Sequence, residues 1–384
     1  MFPASLTKLT LIRLFKHITP GMIPSSVTHL SFLYEDSGGS GVGQTSTFEP
    51  GSLPPGLHFL DLFYSQPFQS DVLPGSLKHL RIQLPTHNRE MLPLAEEDSL
   101  VPSWFLPPSL KRLTMSHYQT FTPPMLRPGV IPQSVTSLDC RMSLCDQQSM
   151  PSTLRHLSYL LELSDTNVQL SLMTSLQSLI LSNLTPEFTI PFRSLPPSLT
   201  SLKLRFSPYL RVWDMTTGLA DRILCNLPHS ITDLEMNPPS FVYVPKSVTS
   251  LALCTHAPIQ PGALPSSLTS LVLFKADAKY TLSPDQLPAS LTELAVHDAA
   301  ILQLHTPYST LIRNVRIMNG PPTFPRQLAQ VFAVGTNIEY HYKQQDTRVS
   351  QFWRIIDQSY VSPQIVGGFL NTSVEPDSTT PKDH

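Results

Sequence analysis

The chain is poor in glycine, in paired cysteines, in net charge and in long apolar runs, and each shortage removes a class of protein. Glycine supplies 15 of 384 residues, against an average near 7%. The cysteines, Cys140, Cys145, Cys225 and Cys254, show no paired C-x-x-C spacing, and the single C-x4-C has no second half. A zinc site and a disulfide framework are therefore not expected, and the thiols read as reduced ones in a reducing compartment. With 26 basic and 28 acidic residues the formal net charge is −2, so no field over the whole surface draws the chain to nucleic acid or an anionic membrane. A local patch stays open. No apolar run of about 18 residues and no basic-then-apolar leader occurs, so neither membrane spanning nor secretion is expected, and a cytoplasmic location follows. In that setting the sequons at Asn183 and Asn371 read as chance matches. Signatures such as G-x-S-x-G and H-E-x-x-H are missing, and the 13 histidines show no ligand spacing. The expectation is a chain that is not an enzyme, with no catalytic residue, metal ligand or cofactor.

Proline is abundant instead, at 39 residues, about twice the usual share of roughly 5%. The excess does not signal disorder, because 41% of residues are hydrophobic and the charge is near zero. Such a chain has a core to bury and must place its prolines at regular, non-helical positions. Self-comparison shows where. The pattern P-x-S-[LV]-[TK]-x-L-x-[LVIMF] recurs from anchors at Pro3, Pro24, Pro54, Pro74, Pro107, Pro132, Pro151, Met173, Pro196, Pro228, Pro245, Pro265 and Pro288, with degenerate copies at Ser309 and Pro325. First to last anchor spans 322 residues over fourteen intervals, a mean period of 23.

Each copy carries L-x-x-L-x-L or a close variant of it, as in Leu199-Thr-Ser-Leu202-Lys-Leu204, the core of a leucine-rich repeat. On a short strand alternate side chains face opposite ways, so Leu202 and Leu204 point inward while Ser201, Lys203 and Arg205 face solvent. Stacking such strands in parallel, about 4.8 Å apart, pairs their backbones and builds a leucine ladder that no single copy could bury alone. The proline cannot donate to a ladder and fits an extended approach to the strand. The serine after it offers hydrogen bonds to local turn backbone. A period of 23 with prolines in the return path leaves little room for an α-helix, so short extended or 3₁₀ segments are expected there. The fold class expected is mainly β: a leucine-rich-repeat solenoid with a parallel concave sheet and a largely helix-free, Pro-rich convex side.

These proline-flanked L-P-x-S-L-T-x-L-x-L copies resemble FNIP-type leucine-rich repeats, found in social amoebae and in large viruses that infect amoebae. They are also similar to the helix-free repeats of bacterial effector proteins. The resemblance covers about residues 1 to 336 and implies a curved solenoid that serves as a protein-binding surface. The Phe-Asn-x-Pro tetrad is absent, and Leu14, Glu35, Ser65, Pro85 and Ser207 stand where leucine-rich repeats usually carry asparagine, which points to a different turn after each strand.

The expected organisation is a solenoid over 1–336 of about fifteen copies, a C-terminal cap over 337–361 and a disordered tail over 362–384. Longer intervals place insertions near 35–52, 85–106 and 208–226. The amphipathic stretch Val349-Ser-Gln-Phe-Trp-Arg-Ile-Ile-Asp357 is the cap candidate. The array starts at Pro3 without a cap, so a partner, a missing N-terminal domain or self-association through that edge would have to cover the ladder end. The first insertion holds Gly38-Gly-Ser-Gly-Val-Gly43-Gln-Thr45, which meets the spacing of a phosphate loop. Gln44 occupies the lysine position, though, and Thr-Phe-Glu-Pro follows where a helix should start. A flexible surface loop is the main reading, and a nucleotide-binding regulator or enzyme using that loop is the alternative.

The outward strand positions of copies four to nine carry His79, Arg81, Arg112, Arg141, His156, Lys203 and Arg205, with Asp139 as the acid among them. Copy ten then presents Asp233 and Glu235, and copies eleven and twelve present Ser250, Ala252, Cys254, Ser270, Val272 and Phe274. Variation of surface strands accounts for this pattern. The sharper reading is a basic patch that meets an acidic protein partner, followed by an apolar strip. The function expected is therefore a non-enzymatic protein–protein interaction scaffold or recognition subunit, with partners held on the concave face and neither nucleic acid nor membrane among them.

Overall fold

The computed structural model describes residues 2–12, 17–33, 48–63, 72–84, 106–117, 129, 131–140, 150–161, 170, 173–184, 195–206, 227–236, 244–254, 258–274, 281–298, 301–302, 307–308, 311–319, 331–344, 347–357, 360–363, 365–366, 369–370 and 374–376. The chain divides into two compact units, Met1–Leu199 and Thr200–His384. In the first, eight strands pair in parallel in chain order: β1 (Lys8–Ile12), β2 (His29–Leu33), β3 (Phe59–Phe63), β4 (His79–Leu84), β5 (Arg112–His117), β6 (Ser137–Cys140), β7 (His156–Leu160) and β8 (Ser178–Leu184). In the second, β9 (Ser201–Phe206), β10 (Asp233–Met236), β11 (Ser250–Cys254), β12 (Ser270–Phe274), β13 (Glu293–Asp298), β14 (Asn314–Asn319) and β15 (Asn337–Gln344) do the same. This is the parallel leucine-rich-repeat ladder, and among the described residues it contains no α-helix.

Register repeats without slip because the leucines leave no alternative. Leu30 pairs with Leu60, Leu60 with Leu80 and Leu80 with Leu113, and all four are at most 1% exposed. A slip of one residue would turn each of these rows to solvent. Three inward rows were expected, from L-x-x-L-x-L. A fourth row stands just before the proline, where Ile23, Leu53, Leu106, Ile131, Leu195, Leu227, Val244 and Leu264 are also buried.

The local turn differs from the extended approach expected for the proline. Proline is the first residue of a hydrogen-bonded four-residue turn: its carbonyl accepts the N–H of the leucine three residues on, as in Val27 to Pro24 at 3.0 Å, Leu110 to Pro107 at 3.0 Å and Leu268 to Pro265 at 3.1 Å. The serine inside that turn does not serve it. Its hydroxyl donates across to the preceding copy, onto the carbonyl of that copy's first core leucine or valine: Ser26 to Leu6, Ser76 to Leu57, Ser109 to Leu77, Ser134 to Leu110, Ser198 to Leu176, Ser267 to Val248 and Ser290 to Leu268, all within 2.6–2.8 Å. The reason is accounting. The tightly turned backbone leaves that carbonyl without a ladder N–H, and a short hydroxyl from the next copy satisfies it. One residue further on, a single carbonyl takes two N–H groups of the next copy. Thr28 and His29 both donate to Thr7, at 2.9 and 3.0 Å.

The return path, expected to be extended or 3₁₀, carries parallel bridges Ile18–Phe48 and Leu282–Leu302 and a 3₁₀ turn at Pro284–Gln286. It also holds Pro-Gly turns that were not anticipated. Met22 N–H donates to Thr19, Ser52 to Glu49 and Ala263 to Gln260, at 3.0–3.2 Å, each around a proline and a glycine at φ 87°, 77° or 78°. Proline second and a positive-φ glycine third is the type II turn. Phe48 and Ser52 thus belong to the coil, so the insertion expected near 35–52 ends before residue 48. The rest of that stretch, all but Leu106 of the stretch at 85–106, and residues 208–226 lie outside the described residues.

At the C-terminal end the last parallel strand is β15, not the degenerate copy anchored at Pro325, and Ile338 pairs with Val315 where a leucine would stand. The parallel ladder therefore runs beyond the expected boundary at 336. Against β15 lies β16 (Thr347–Asp357), antiparallel from Asn337–Arg354 to Gln344–Thr347. Two further strands, β17 (Tyr360–Pro363) and β20 (Val374–Pro376), pair with β16, while β18 (Ile365–Val366) pairs with β19 (Phe369–Leu370). Paired strands thus stand in the stretch from 362 that was expected to be disordered. The sequence reason is local: Ile365-Val and Phe369-Leu flank Gly367-Gly368, the dipeptide that two-residue hairpins favour.

The serine row gives a test with its own control. Ser290 donates its hydrogen bond at 2.6 Å, whereas Ser247, at the same place in its copy, has a buried hydroxyl with no partner among the described residues. Ser290→Ala should destabilise by about 1 kcal/mol and Ser247→Ala should be neutral or stabilising, read from urea midpoints. Equal losses would refute the role assigned to the row.

Candidate functional site

The outward side chains of each ladder form rows with one residue per strand. In the first unit one row runs Lys8, His29, Phe59, His79, Arg112, Ser137, His156, Ser178. The next runs Thr10, Ser31, Asp61, Arg81, Thr114, Asp139, Ser158, Ile180. His79, Arg81, Arg112 and His156 are all exposed, as their outward positions require. Arg141 lies outside the described residues.

Charge pairing separates these side chains. Arg81 reaches Asp61 at 3.7 Å, and the Asp61 side chain is only 8% exposed. That carboxylate sits in copy three, outside copies four to nine, in which Asp139 is the acid. Arg112 makes no ion pair among the described residues. Neither do Lys78, Lys111 and Arg155, which stand exposed one residue before their strands. Sequence reasoning missed these three because it considered strand positions alone. They occupy the place that Thr28, Thr136, Thr200 and Thr249 hold in other copies, so reading that column down the repeats would have found them. In rungs four and five, Lys78 with His79 and Lys111 with Arg112 put four basic side chains at the starts of two adjacent strands, about 4.8 Å apart. His79 responds to this crowding. Burial pushes its imidazole below the ordinary histidine value, and the charges of Arg112, His29 and Lys78 push the same way. His29 in turn stacks on Phe59, with ring centroids 5.9 Å apart.

In the second unit the cations are taken up internally. Lys203 Nζ lies 2.8 Å from Glu235 Oε2, and Arg205 donates to Glu235 Oε1 through Nη2 at 2.9 Å and Nε at 3.0 Å. Burial alone would raise the Glu235 pKa, but hydrogen bonds from Lys203 and Arg205 and their charges outweigh it and hold the carboxyl below its usual range. Ser201 donates to Asp233 at 2.7 Å, and Arg316 pairs with Glu339. Between these pairs the outward row holds Ala252, Val272 and Ala295, with Phe274 37% exposed one position on. The seven residues singled out from sequence therefore do not form one set. Lys203 and Arg205 serve Glu235, Arg81 serves Asp61, and Arg112 with His79 remains among unneutralised neighbours.

No group of three or more His, Cys, Asp or Glu side chains suited to a metal occurs among the described residues. Cys140 and Cys254 are thiols, not disulfides. Asn183, the first sequon residue, has φ 63° and spends its amide N–H on the Leu161 carbonyl at 2.9 Å. No helix among the described residues is long and apolar enough to cross a membrane.

The Glu235 clamp has a pH signature. Because its folded pKa is depressed, its contribution is present above the ordinary carboxylate value of 4.5 and is lost as the pH falls through that value toward the folded one. Lys203→Ala/Arg205→Ala should shrink the acid-induced loss of stability between about pH 5 and pH 3, read from urea midpoints. An unchanged acid slope would contradict the clamp.

The FNIP Repeat family model matches residues 46–84 and 257–298, the segments holding β3 and β4 in one unit and β12 and β13 in the other. It does so although the Phe-Asn-x-Pro tetrad is absent. No curated protein matches the sequence. A solved structure from a giant virus, described as CroV588, a novel circular LRR protein, is similar at 22% identity with a TM-score of 0.47. The match covers 84% of this chain and 54% of that one, so the chain spans about half the length of that protein. Each matched segment is a two-strand stretch of the ladder described above, so it is these two segments that carry the FNIP repeat.

Proposed function

We propose that the chain is a non-enzymatic, cytoplasmic interaction scaffold whose strand face holds an acidic protein segment. The observation that carries this reading is the run of basic side chains in the first unit that no carboxylate among the described residues neutralises: Lys78, Lys111, Arg112 and Arg155, with His79 and His156 beside them. Unpaired surface cations repel one another, and an acidic segment relieves that repulsion while speeding encounter. The scaffold contributes rigidity, since each side chain stands on, or one residue before, a strand paired on both sides and loses little backbone freedom on binding. Arg81 adds to the patch through whatever charge Asp61 leaves uncompensated. Lys203 and Arg205 are offered less readily, because a partner's carboxylate would have to compete with Glu235. The alternative reading of Gly38–Thr45 as a nucleotide loop draws no support from the described residues, which do not include it.

Self-association through β1 belongs to the same proposal. Leu9 and Leu11 are half-buried there, Ile12 is 55% exposed, and the matching leucines of β3 are at most 1% exposed. Sedimentation that gives monomer alone at every concentration would remove it.

Fluorescence anisotropy with a labelled poly-aspartate peptide tests the acidic partner. Lys111→Glu/Arg112→Glu should weaken binding by about tenfold or more, and added salt should weaken it further. Lys203→Ala/Arg205→Ala should change it little. Equal affinity for wild type and the reversed pair, with circular dichroism intact, would sink the reading.

A further inference from the structure

His79 stands at the centre of the unneutralised group. Its row neighbours are Phe59 on β3 and Arg112 on β5, with His29 one rung beyond Phe59. The other titratable or charged groups around it are His58 and Asp61 from copy three, Lys78 and Arg81 from its own copy, and Lys111 from copy five. The one carboxylate among these, Asp61, is paired with Arg81 at 3.7 Å. Among the described residues the imidazole therefore faces cations without an anion of its own, and burial together with the charges of Arg112, His29 and Lys78 pushes its pKa below the ordinary histidine value.

An acidic segment laid on these rungs supplies the missing anion. Resting on the functional reading above, we propose that His79 takes up a proton when the acidic segment binds, so that the partner is held more tightly as the pH falls from about 7.5 to 5.5. The linkage is reciprocal: an anion that favours the charged imidazole must itself bind better where that imidazole is charged. No covalent step is involved, since the proton comes from solvent and adds to the free ring nitrogen. Arg112 and the lysines contribute to affinity, and the histidine sets its response to acid. His156, two rungs past Arg112, lies beside Ser137 and Ser178 in the row and serves as an internal comparison, because no cationic strand residue adjoins it in that row.

The test is the ratio of poly-aspartate dissociation constants at pH 7.5 and pH 5.5, at fixed ionic strength, by anisotropy. Wild type should show a ratio of about ten, corresponding to close to one linked proton acting over the upper part of this range. His79→Gln should bring the ratio most of the way to one, and His156→Gln should leave the larger part of it. An NMR titration of the His79 ring proton should show its midpoint rising when the peptide is added. Binding of equal tightness at both pH values, or a His79 midpoint that the peptide does not move, overturns the proton linkage and leaves the acidic-partner reading standing. Absence of binding at both pH values overturns the two together.

Discussion

The structure depends on satisfying the backbone carbonyls at the start of a strand from the copy that follows. Leucines provide most of the buried area, but leucines alone do not fix how one coil sits on the next. The serine hydroxyl does so at one carbonyl, and a pair of N–H groups does so at the next, so adjacent copies are tied at two successive positions before the ladder proper begins. Proline belongs to the same device. By opening a tight turn whose carbonyl receives the leucine N–H, it aims the serine outward toward its neighbour and not back into its own loop. The inward rows then fall into register as a consequence.

That scaffold explains why charge can be distributed so differently on its two units. Outward positions carry no packing duty, so they are free to be paired or left unpaired. In the second unit Glu235 gathers Lys203 and Arg205 from the strand beside it. In the first unit the cations of rungs four and five meet one another and a histidine. Each unit's strand face thus has its own character: in the second, Lys203 and Arg205 share Glu235 beside an apolar strip, and in the first, Lys78, Lys111 and Arg112 make no ion pair among the described residues.

Much of this was legible in the sequence, because a repeat is its own alignment. The strand positions, the parallel pairing, the inward leucines and the helix-scarce return path all follow from period, proline and alternation. What was not legible has physical causes. The reach of Ser109 to Leu77 cannot be read from one copy, since its acceptor lies 32 residues away. The clamp on Lys203 and Arg205 needed the knowledge that Glu235 stands on the adjoining rung, across an interval that varies in length along the array. The last strand was misplaced because Leu328 attracted the pattern, while the true strand uses Ile338 and Tyr340 with no leucine at all. The Pro-Gly dipeptides at Pro20, Pro50 and Pro261 stand openly in the sequence, and each makes a type II turn.

The antiparallel seating of β16 on β15 bears on how such a chain can change over generations. A parallel copy presents the same edge it consumes, so a copy duplicated or lost between two others meets matching leucines, serines and carbonyls on both sides and requires no compensating substitution. The edge of β15 is different, because its eight residues are committed to a strand running the other way. Within the second unit, a copy added or lost ahead of β15 would leave that antiparallel pairing unchanged.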